Sequence, residues 1–381
     1  MKQKIFIRVR TRQSYFLLVL FVYSKREIKT EVKKNIRIID IAKKAGVSIG
    51  TVDRVLHDRN EVSVETKEKI LKIIEEFDYR PNILARTLAS KKIFTFATLT
   101  PWFSDKDSYW AKPQEGIEQA IEQIKHYGVR LNQFYFKMED SETFTAEAKK
   151  ILDLSPDGVL LAPWAKRESL KFTQALKDKA IPYVFFDSTL KEASPISFIV
   201  QNSFQSGYLA GKLLDYGINE HSLILLVHIT KELDNVTHLL QREKGFLDYF
   251  ESRKEKEHRI IKIEASGNEN ELNEKLQEMG IPISSIDAVF ITNSKVHLAV
   301  ACFKDLDKGP KIIGYDLIPR NIELLNRDKI DFLICQKPEK QGFVAINLLF
   351  DHIVKKEKVM RENYTPIDII TKENIDYYSS F

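Results

Sequence analysis

The sequence predicts a helix-turn-helix head made of α-helices, followed by an α/β body that contains two doubly wound parallel-sheet subdomains. Three short helical patterns surround a glycine-containing turn between residues 36 and 80. From residue 93 to the C-terminus, apolar β-rich runs alternate with helical patterns. The length of 381 residues also favours two or three domains over one.

Residues 1–31 are predicted to be a non-native or mis-called N-terminal extension. Lys2–Arg12 is basic and Tyr15–Tyr23 is apolar, as in a secretory signal, but the apolar run is too short to span a bilayer and no small-residue cleavage site follows it. We therefore expect the natural start at Val32. The two cysteines, Cys302 and Cys335, give neither a disulfide framework nor metal-ligand spacing, which suits a reducing compartment.

Charge is distributed unevenly along the chain. Residues 33–92 contain 14 Lys or Arg against 9 Asp or Glu, whereas residues 93–381 contain 37 against 43. A basic head on an acidic body indicates that the head meets a polyanion such as nucleic acid. On charge alone, a solvated basic face without a function explains the pattern equally well.

Residues 36–80 are predicted to fold as three helices around a turn at Gly46. Ser48 is placed to cap the second helix and Ser63 to cap the third. The apolar positions that share a face are Ile38, Ile41, Ala42 and Ala45, then Val52, Val55 and Leu56, then Ile70, Ile73, Ile74 and Phe77. This order is the helix-turn-helix arrangement, although the pattern alone also fits a helical hairpin inside a larger domain.

The start of the second helix carries side chains suited to the major groove of DNA. Ile49 offers an apolar contact to thymine methyl groups, and Arg54 can form paired hydrogen bonds with guanine. Ser48, Thr51 and the backbone amides at the helix start can hold phosphates. The outward-facing positions of this pattern also include Gly50 and His57.

Residues 38–92 resemble the DNA-binding head of the lac repressor family. The matching units are DIAKKAGVS, TVDRVLH, VSVETKEKI and YRPNILARTLA, and the match has no gap. The resemblance implies a homodimer on a palindromic double-stranded operator, with a hinge helix in residues 81–92 that orders on DNA. In it, Asn82 lies in the first turn, Ala85 lies against the sugar edges, and Leu88 wedges into the minor groove.

Two positions depart from the family pattern and put the operator sequence in doubt. Gly50 stands where members of the family usually have a side chain that reads a base, and Asp53 replaces the usual serine. An acid that faces phosphates is unfavourable unless it reads a cytosine amino group or is paired with Arg54. Without the resemblance, residues 81–92 are best interpreted as an ordinary interdomain linker.

The body, residues 93–381, alternates predicted strands with predicted helices such as Pro113–His126 and Ser203–Tyr216. The predicted strands are Phe94–Thr100, Val129–Phe136, Gly158–Trp164, Pro182–Asp187, Ser197–Gln201, Leu223–Ile229, Ile260–Ala265, Ala288–Thr292, Lys311–Tyr315 and Phe332–Cys335. Ten strands fit two sheets better than one. No glycine-rich phosphate loop opens a helix, so we expect no nucleotide or other cofactor and no metal.

Polar and aromatic side chains follow the predicted strands at their carboxyl ends, where doubly wound sheets bind ligands. Aromatic rings to stack on a sugar, with amides, carboxylates and a guanidinium for its hydroxyl groups, indicate a sugar or polyol cleft. The candidate ligand contacts are Trp102, Phe103, Trp110, Asp187, Gln201, Arg242, Asn293, Asp316 and Gln336. Taken singly, the tryptophans are more often core residues, and polar residues such as Asn202 are more often helix caps.

The body is similar to the type I periplasmic sugar-binding fold that forms the regulatory domain of the lac repressor family. The similar segments are IPYVFFDS, IVQNSFQSGYLAGKLL, QREKGFLDYF, VFITNS, IIGYD and CQKPEKQGFVAINLL. Five ligand contacts are implied by the resemblance, namely Asp187, Arg242, Asn293, Asp316 and Gln336. Gln201-Asn202 and Asn293-Ser294 each lack a carboxylate that the family often has there, which leaves the sugar unidentified.

The resemblance implies an N-subdomain of about 93–202 plus about 336–355 and a C-subdomain of about 203–332. The chain is expected to cross between them near Ser203 and again after about Ile318. The predicted function is a cytoplasmic, homodimeric transcription regulator of carbohydrate-metabolism genes that a sugar or sugar derivative controls, and the resemblance implies that it represses. The alternatives are a periplasmic sugar-binding protein, which would not need residues 36–92, and an enzyme, for which we find no nucleophile elbow, metal cluster or carboxylate pair.

Overall fold

In a computed structural model of the chain, the described residues are 36–56, 59, 62–77, 79, 92–230, 237–253, 257–268 and 270–378. The predictions for residues 1–31, for His57 and for the hinge residues Asn82, Ala85 and Leu88 lie outside this part of the chain. The described residues divide into two compact units, one before and one after the boundary between residues 82 and 83.

The head contains three helices, α1 (Ile38–Ala45), α2 (Ile49–Leu56) and α3 (Val64–Glu76). α1 ends where Gly46 adopts a left-handed backbone with φ of +72°, and the hydroxyl of Ser63 caps α3 by accepting from the Thr66 N–H. The three helices pack around a small apolar core that includes Ile41, Val52 and Ile70. The helix-turn-helix prediction is therefore confirmed.

The body contains twelve strands and nine α-helices among the described residues. The strands are β1 (Phe94–Pro101), β2 (Val129–Phe136), β3 (Gly158–Leu161), β4 (Tyr183–Asp187), β5 (Ser197–Gln201), β6 (Leu223–Ile229), β7 (Arg259–Ala265), β8 (Ala288–Ile291), β9 (Lys311–Tyr315), β10 (Phe332–Cys335), β11 (Glu362–Thr365) and β12 (Asp368–Ile370). The helices are α4 (Ala111–Ile124), α5 (Ser141–Leu154), α6 (Lys166–Asp178), α7 (Ser203–Asp215), α8 (Thr237–Glu251), α9 (Glu271–Glu278), α10 (Val296–Val300), α11 (Pro319–Asn326) and α12 (Pro338–Phe350).

These strands form two six-stranded sheets. The first has the order β11-β5-β4-β3-β1-β2 and is parallel throughout, and the second has the order β12-β10-β9-β8-β6-β7 with β12 antiparallel to β10. Apolar clusters fill the space between each sheet and its helices. The prediction of two doubly wound sheets is confirmed. We refer to the first sheet with its helices as the N-lobe and to the second sheet with its helices as the C-lobe.

The sequence prediction missed the edge strands β11 and β12. Both are short, and β11 buries only Thr365, so neither shows the apolar pattern that marks an interior strand. They add a crossing that the sequence did not predict. The chain passes between the lobes after Gln201, after Cys335 and again between Thr365 and Asp368. The return to the N-lobe therefore follows β10 rather than Ile318.

Close contact between α7 and α8 fixes the position of α8 in the C-lobe. A Cβ atom on Gly207 would lie 2.0 Å from the carbonyl oxygen of Arg242, and one on Gly245 would lie 1.9 Å from that of Phe204. Only glycine allows the two backbones to approach so closely. The start of α8, which carries Arg242, is thereby held against the lobe.

Candidate functional site

The start of α2 exposes a small polar and apolar surface on the head. Ser48, Ile49, Gly50 and Arg54 are exposed, and 45% of Ile49 is accessible although it is a large aliphatic residue. The Ser48 hydroxyl accepts from the Thr51 N–H at 3.1 Å and lies 2.9 Å from the Thr51 hydroxyl. Four of the candidate nucleic-acid residues in the described part of the head thus lie together at the start of α2, namely Ser48, Ile49, Gly50 and Thr51, whereas Arg54 is exposed in the last turn of the same helix.

Asp53 makes an ion pair on this helix that the sequence did not predict. Its carboxylate lies 3.6 Å from the guanidinium of Arg59. The pair is exposed and therefore contributes little to stability. A neighbouring positive charge does, however, weaken the repulsion that an aspartate would otherwise exert on phosphates.

The body contains a cavity of about 420 Å³ that residues of both lobes line. Six predicted ligand contacts are in its wall: Trp110, Asp187, Arg242, Asn293, Asp316 and Gln336. The carboxyl ends of β4, β8, β9 and β10 lead directly into four of the lining segments, because parallel strands deliver their C-terminal residues to one edge.

Arg242 is the centre of the polar wall in the C-lobe. Its side chain is only 1% accessible, and its Nη1 donates to the carbonyl oxygen of Thr292 at 2.6 Å. Nη2 donates to Oε1 of Gln336, and the guanidinium carbon lies 3.7 Å from the ring centre of Tyr315. This arrangement compensates part of the cost of burying a charge.

Gln336 connects Arg242 to Asp316. Its Nε2 donates to both carboxylate oxygens of Asp316, at 3.0 Å and 2.8 Å. Asp316 itself has a left-handed backbone, with φ of +70°, directly after β9. A strained backbone at a residue held by neighbours is typical of a binding site.

The N-lobe contributes Asp187, which also has a left-handed backbone with φ of +67°. The hydroxyl of Tyr109 donates to its carboxylate, and Oε1 of Gln341 accepts its backbone N–H at 2.9 Å. Nε2 of Gln341 donates to the carbonyl oxygen of Gln336 at 3.0 Å. Gln341 therefore links the binding loop of one lobe to the segment that crosses from the other.

Burial changes the ionisation of the groups in the cavity wall. It raises the pKa of Asp187 to about 6 and that of Asp316 to about 7, while Arg242 opposes both increases. Burial also lowers the pKa of His238 well below its usual value, and Arg242 adds to this effect. The ring of His238 is therefore uncharged at neutral pH.

Three candidate ligand contacts lie outside the cavity wall. Trp102 is 53% accessible and its backbone N–H pairs with Phe136 at the end of β2, because β1 runs on to Pro101. Phe103 packs edge-on against Tyr135, with ring centres 6.4 Å apart. Both Trp102 and Phe103 were predicted to contact the ligand because they follow a strand, but neither ring lines the cavity.

Gln201 is the third such residue, and its side chain contacts the crossing segments. Its Nε2 donates to the carbonyl oxygens of Cys335 at 3.0 Å and Pro366 at 3.2 Å. Since Gln201 begins the first crossing, Cys335 begins the second and Pro366 lies in the third, one amide joins all three. The structure therefore gives Gln201 a hinge contact.

We expect Gln201→Leu to lower the free energy of unfolding by about 1–3 kcal/mol, because two buried carbonyl oxygens lose a donor. Urea denaturation measures this, with Gln205→Leu on the exposed face of α7 as the matched control. A variant as stable as the control would show that the hinge contact contributes nothing.

Three further residues in the cavity wall were missed from the sequence: Tyr109, Trp164 and His238. Trp164 was placed inside a predicted strand, but β3 ends at Leu161 and the indole lies beyond its carboxyl end. His238 precedes Arg242 by one helical turn, and this spacing would have put both on one face. Tyr109 lies in a loop without periodicity, so no signal identified it.

The raised pKa values predict how stability depends on pH. Asp316 ionises near 3.8 in the unfolded chain and near 7 in the folded one, so the folded state keeps a proton that the unfolded state loses. Stability therefore falls as the pH rises from about 4 to about 7. We expect Asp316→Asn to exceed the parent chain in free energy of unfolding by at least about 1 kcal/mol at pH 8.

Urea unfolding at pH 4, 6 and 8 checks this expectation, with the exposed Asp307→Asn as the charge-matched control. The difference should shrink towards pH 4, where the parent carboxyl is protonated in both states. An Asp316→Asn variant that is less stable than the parent at pH 8 would contradict the assignment of a penalised buried charge.

No helix in the described part of the chain is both long and apolar enough to cross a membrane. No group of three or more His, Cys, Asp or Glu there has the arrangement of a metal site.

Two family models match separate parts of the chain. The model for the periplasmic binding protein domain matches residues 96–357, and the model for bacterial regulatory proteins of the lacI family matches residues 37–82. The two matched ranges correspond to the body and to the head.

Relatives and solved structures agree with these matches. Catabolite control protein A of Staphylococcus aureus (strain MRSA252) is 27% identical over 201 residues, which is 53% of this chain and 59% of that relative. The matched region thus spans under two thirds of the relative's length. A protein from Bacteroides fragilis assigned as a LacI transcriptional regulator is 32% identical, with a TM-score of 0.69 over 75% of this chain and 100% of that one.

A glucose-galactose binding protein from Geobacillus stearothermophilus has the same fold as the body. It is 19% identical, with a TM-score of 0.66, and the alignment covers 74% of this chain and 99% of that one. At this identity the similarity concerns the fold alone.

Proposed function

Because the chain belongs to the lacI family of bacterial regulatory proteins, we propose that it is a sequence-specific, DNA-binding transcription regulator controlled by a sugar or sugar derivative. One observation carries the proposal. The same chain has a helix-turn-helix head, with Ile49 exposed at the start of α2 and Arg54 exposed in its last turn, and a body cavity lined by both lobes.

In this proposal α2 enters the major groove of a palindromic operator, and two copies of the chain bind its two half-sites. Residues 36–80 act as the DNA-binding domain and residues 81–92 as the hinge helix, with Leu88 as the wedge between base pairs. Residues 93–381 act as the regulatory domain, and residues 1–31 take no part in either activity.

The sugar binds in the cavity and contacts Arg242, Asp187 and Asp316. Ligand contacts with both lobes favour a closed arrangement about the three crossing segments. Closure changes the geometry of the dimer and thereby the ordering of the hinge helices. The effect is reciprocal, so operator DNA changes the affinity for the sugar by the same factor.

The regulated genes are those of carbohydrate metabolism, and the protein acts as a repressor in the cytoplasm. The name of the staphylococcal relative, which refers to catabolite control, supports this choice. An exported sugar-binding protein is disfavoured because it needs no helix-turn-helix head. Membership in a regulator family likewise disfavours an enzyme.

Fluorescence anisotropy with the full chain tests DNA binding directly. The probe is a palindrome from the flank of the chain's own gene, and a scrambled duplex of the same composition is the control. We expect tighter binding to the palindrome, with an affinity that falls linearly on a log–log plot against salt concentration. Equal affinity for both duplexes would contradict sequence-specific recognition.

A further inference from the structure

We propose that the interlobe cavity selects an uncharged sugar or polyol and rejects the phosphorylated form of the same sugar. This inference rests on the proposed function, which leaves open whether the ligand is a free sugar or a derivative. Three properties of the cavity wall support it: its charge, its hydrogen-bonding groups and its aromatic surface.

The charge of the wall disfavours an anion. Five carboxylates line the cavity, and they are Asp105, Asp107, Glu139, Asp187 and Asp316. They face three Lys or Arg residues, which are Arg242, Lys295 and Arg320. Asp105, Asp107 and Glu139 are exposed and therefore screened by solvent, so repulsion comes mainly from Asp187 and Asp316, which become charged as the pH rises above their raised pKa values of about 6 and about 7. A phosphate group, which carries a charge of about −1.5 to −2 near neutral pH, would meet these two carboxylates in the cavity wall.

The buried cation is already engaged. The two terminal nitrogens of Arg242 donate to Thr292 and Gln336, and its plane lies against Tyr315. A phosphate would have to break these contacts to form a paired hydrogen bond with the guanidinium. Lys295 and Arg320 are more accessible, so water and salt screen them.

The start of α11 in the wall offers few amides to an anion. α11 begins with Pro319, which has no N–H, and the next residue in the wall is Arg320. Asn321 then uses its side chain to satisfy the carbonyl oxygens of Ser294, Tyr315 and Asp316. The start of α11 thus stabilises the loop after β9 through the Asn321 side chain.

The hydrogen-bonding groups of the wall match hydroxyl groups. Asp187 and Asp316 have acceptor capacity beyond the donors that Tyr109 and Gln336 supply. Arg242, in contrast, has a buried Nε without a hydrogen-bond partner among the described residues. A hydroxyl group can donate to the ionised carboxylates and accept from the Nε–H of Arg242. An ionised phosphate oxygen can accept, but it cannot donate to the ionised carboxylates.

Aromatic surface completes the wall. The indole N–H of Trp164 donates to the carbonyl oxygen of Met138 at 3.3 Å, which fixes the ring, and its centre lies 6.4 Å from that of the uncharged His238. The cavity volume of about 420 Å³ falls near the lower end of the usual range for ligand pockets, about 300–1,000 Å³. A small ring with apolar C–H faces fits such a wall.

Isothermal titration calorimetry of the full chain tests this selectivity with matched pairs of ligands. The pairs are D-glucose with glucose 6-phosphate, D-galactose with galactose 1-phosphate, and D-ribose with ribose 5-phosphate, and D-glucosamine serves as the cationic probe. We expect one free sugar to bind at least about 100-fold more tightly than its phosphate, or about 2.7 kcal/mol. A phosphate, or glucosamine, that binds more tightly than the free sugar would overturn the proposal.

Asp316→Asn supplies a second readout because it removes one carboxylate while keeping a similar shape. It should reduce the ratio between free-sugar and phosphate affinities, whereas the distant Asp307→Asn, with the same change in net charge, should leave that ratio unchanged. Equal ratios in both variants would overturn the electrostatic argument.

The anisotropy experiment on the same samples separates the two proposals. If a sugar phosphate alone changes operator binding, the selectivity inference is wrong and the regulator function stands. If no member of the panel binds or changes operator binding, control by a sugar is contradicted and this inference is overturned with it.

Discussion

Replacing Ile49 with aspartate is expected to weaken binding to the palindromic operator at least about 100-fold, or about 2.7 kcal/mol. The exposed isoleucine lies at the start of α2, so the substitution removes an apolar contact to bases and places a negative charge against the DNA. Since 45% of the side chain is accessible, the fold of the head should survive. Anisotropy on the operator probe measures the loss.

Leu71→Asp is the matched control for this prediction. Leu71 is also 45% accessible, but it lies on α3 rather than on the proposed recognition helix. Thermal unfolding of both variants shows whether the fold is retained. Similar losses of operator affinity in the two variants would mean that α2 has no special part in recognition.

Arg242→Met is expected to reduce sugar affinity at least about 100-fold while the body remains folded. The substitution removes the group that holds Gln336 and stacks on Tyr315. Arg242 also lowers the pKa of Asp187 and Asp316, so its loss should raise both values and keep these carboxyls protonated to higher pH. The protonated carboxyls avoid the large penalty of an unpaired buried charge, which is why the fold should survive.

Calorimetry with the sugar that binds the parent chain measures this loss, and circular dichroism checks the fold. Arg327→Met is the control, because Arg327 is exposed and its guanidinium pairs with Glu323 one turn away on the same helix. An Arg242→Met variant with parental affinity for the sugar would remove Arg242 from the binding site.

Local patterns in the sequence were sufficient for much of the fold. Helix caps such as Gly46 and Ser63, and the apolar stripes of the head, depend on neighbours within a few residues, so they can be interpreted without a structure. The interior strands of both sheets are apolar runs for the same reason. The edge strands β11 and β12 were missed because they are short and each buries only one residue, whereas the edge strands β2 and β7 are longer and were predicted.

The site was predictable where a residue directly follows an interior strand. Asp187 ends β4 and Asp316 follows β9, and the rule that ligands bind at the carboxyl ends of strands is enough to select both as candidates. Gln201 satisfies the same rule but turns its amide to the crossing segments, because strands that belong to different lobes meet there. Tyr109 reaches Asp187 from a loop, and such a contact depends on the tertiary fold.

The central claim is that the sugar cavity and the DNA-binding head are coupled. The most direct test is the dissociation constant of the full chain for its palindromic operator, measured by anisotropy at fixed salt with and without a saturating sugar from the panel. We predict a change of about 5-fold to 150-fold, in one direction, that Arg242→Met abolishes. Sugar binding that leaves operator affinity unchanged would contradict the coupling.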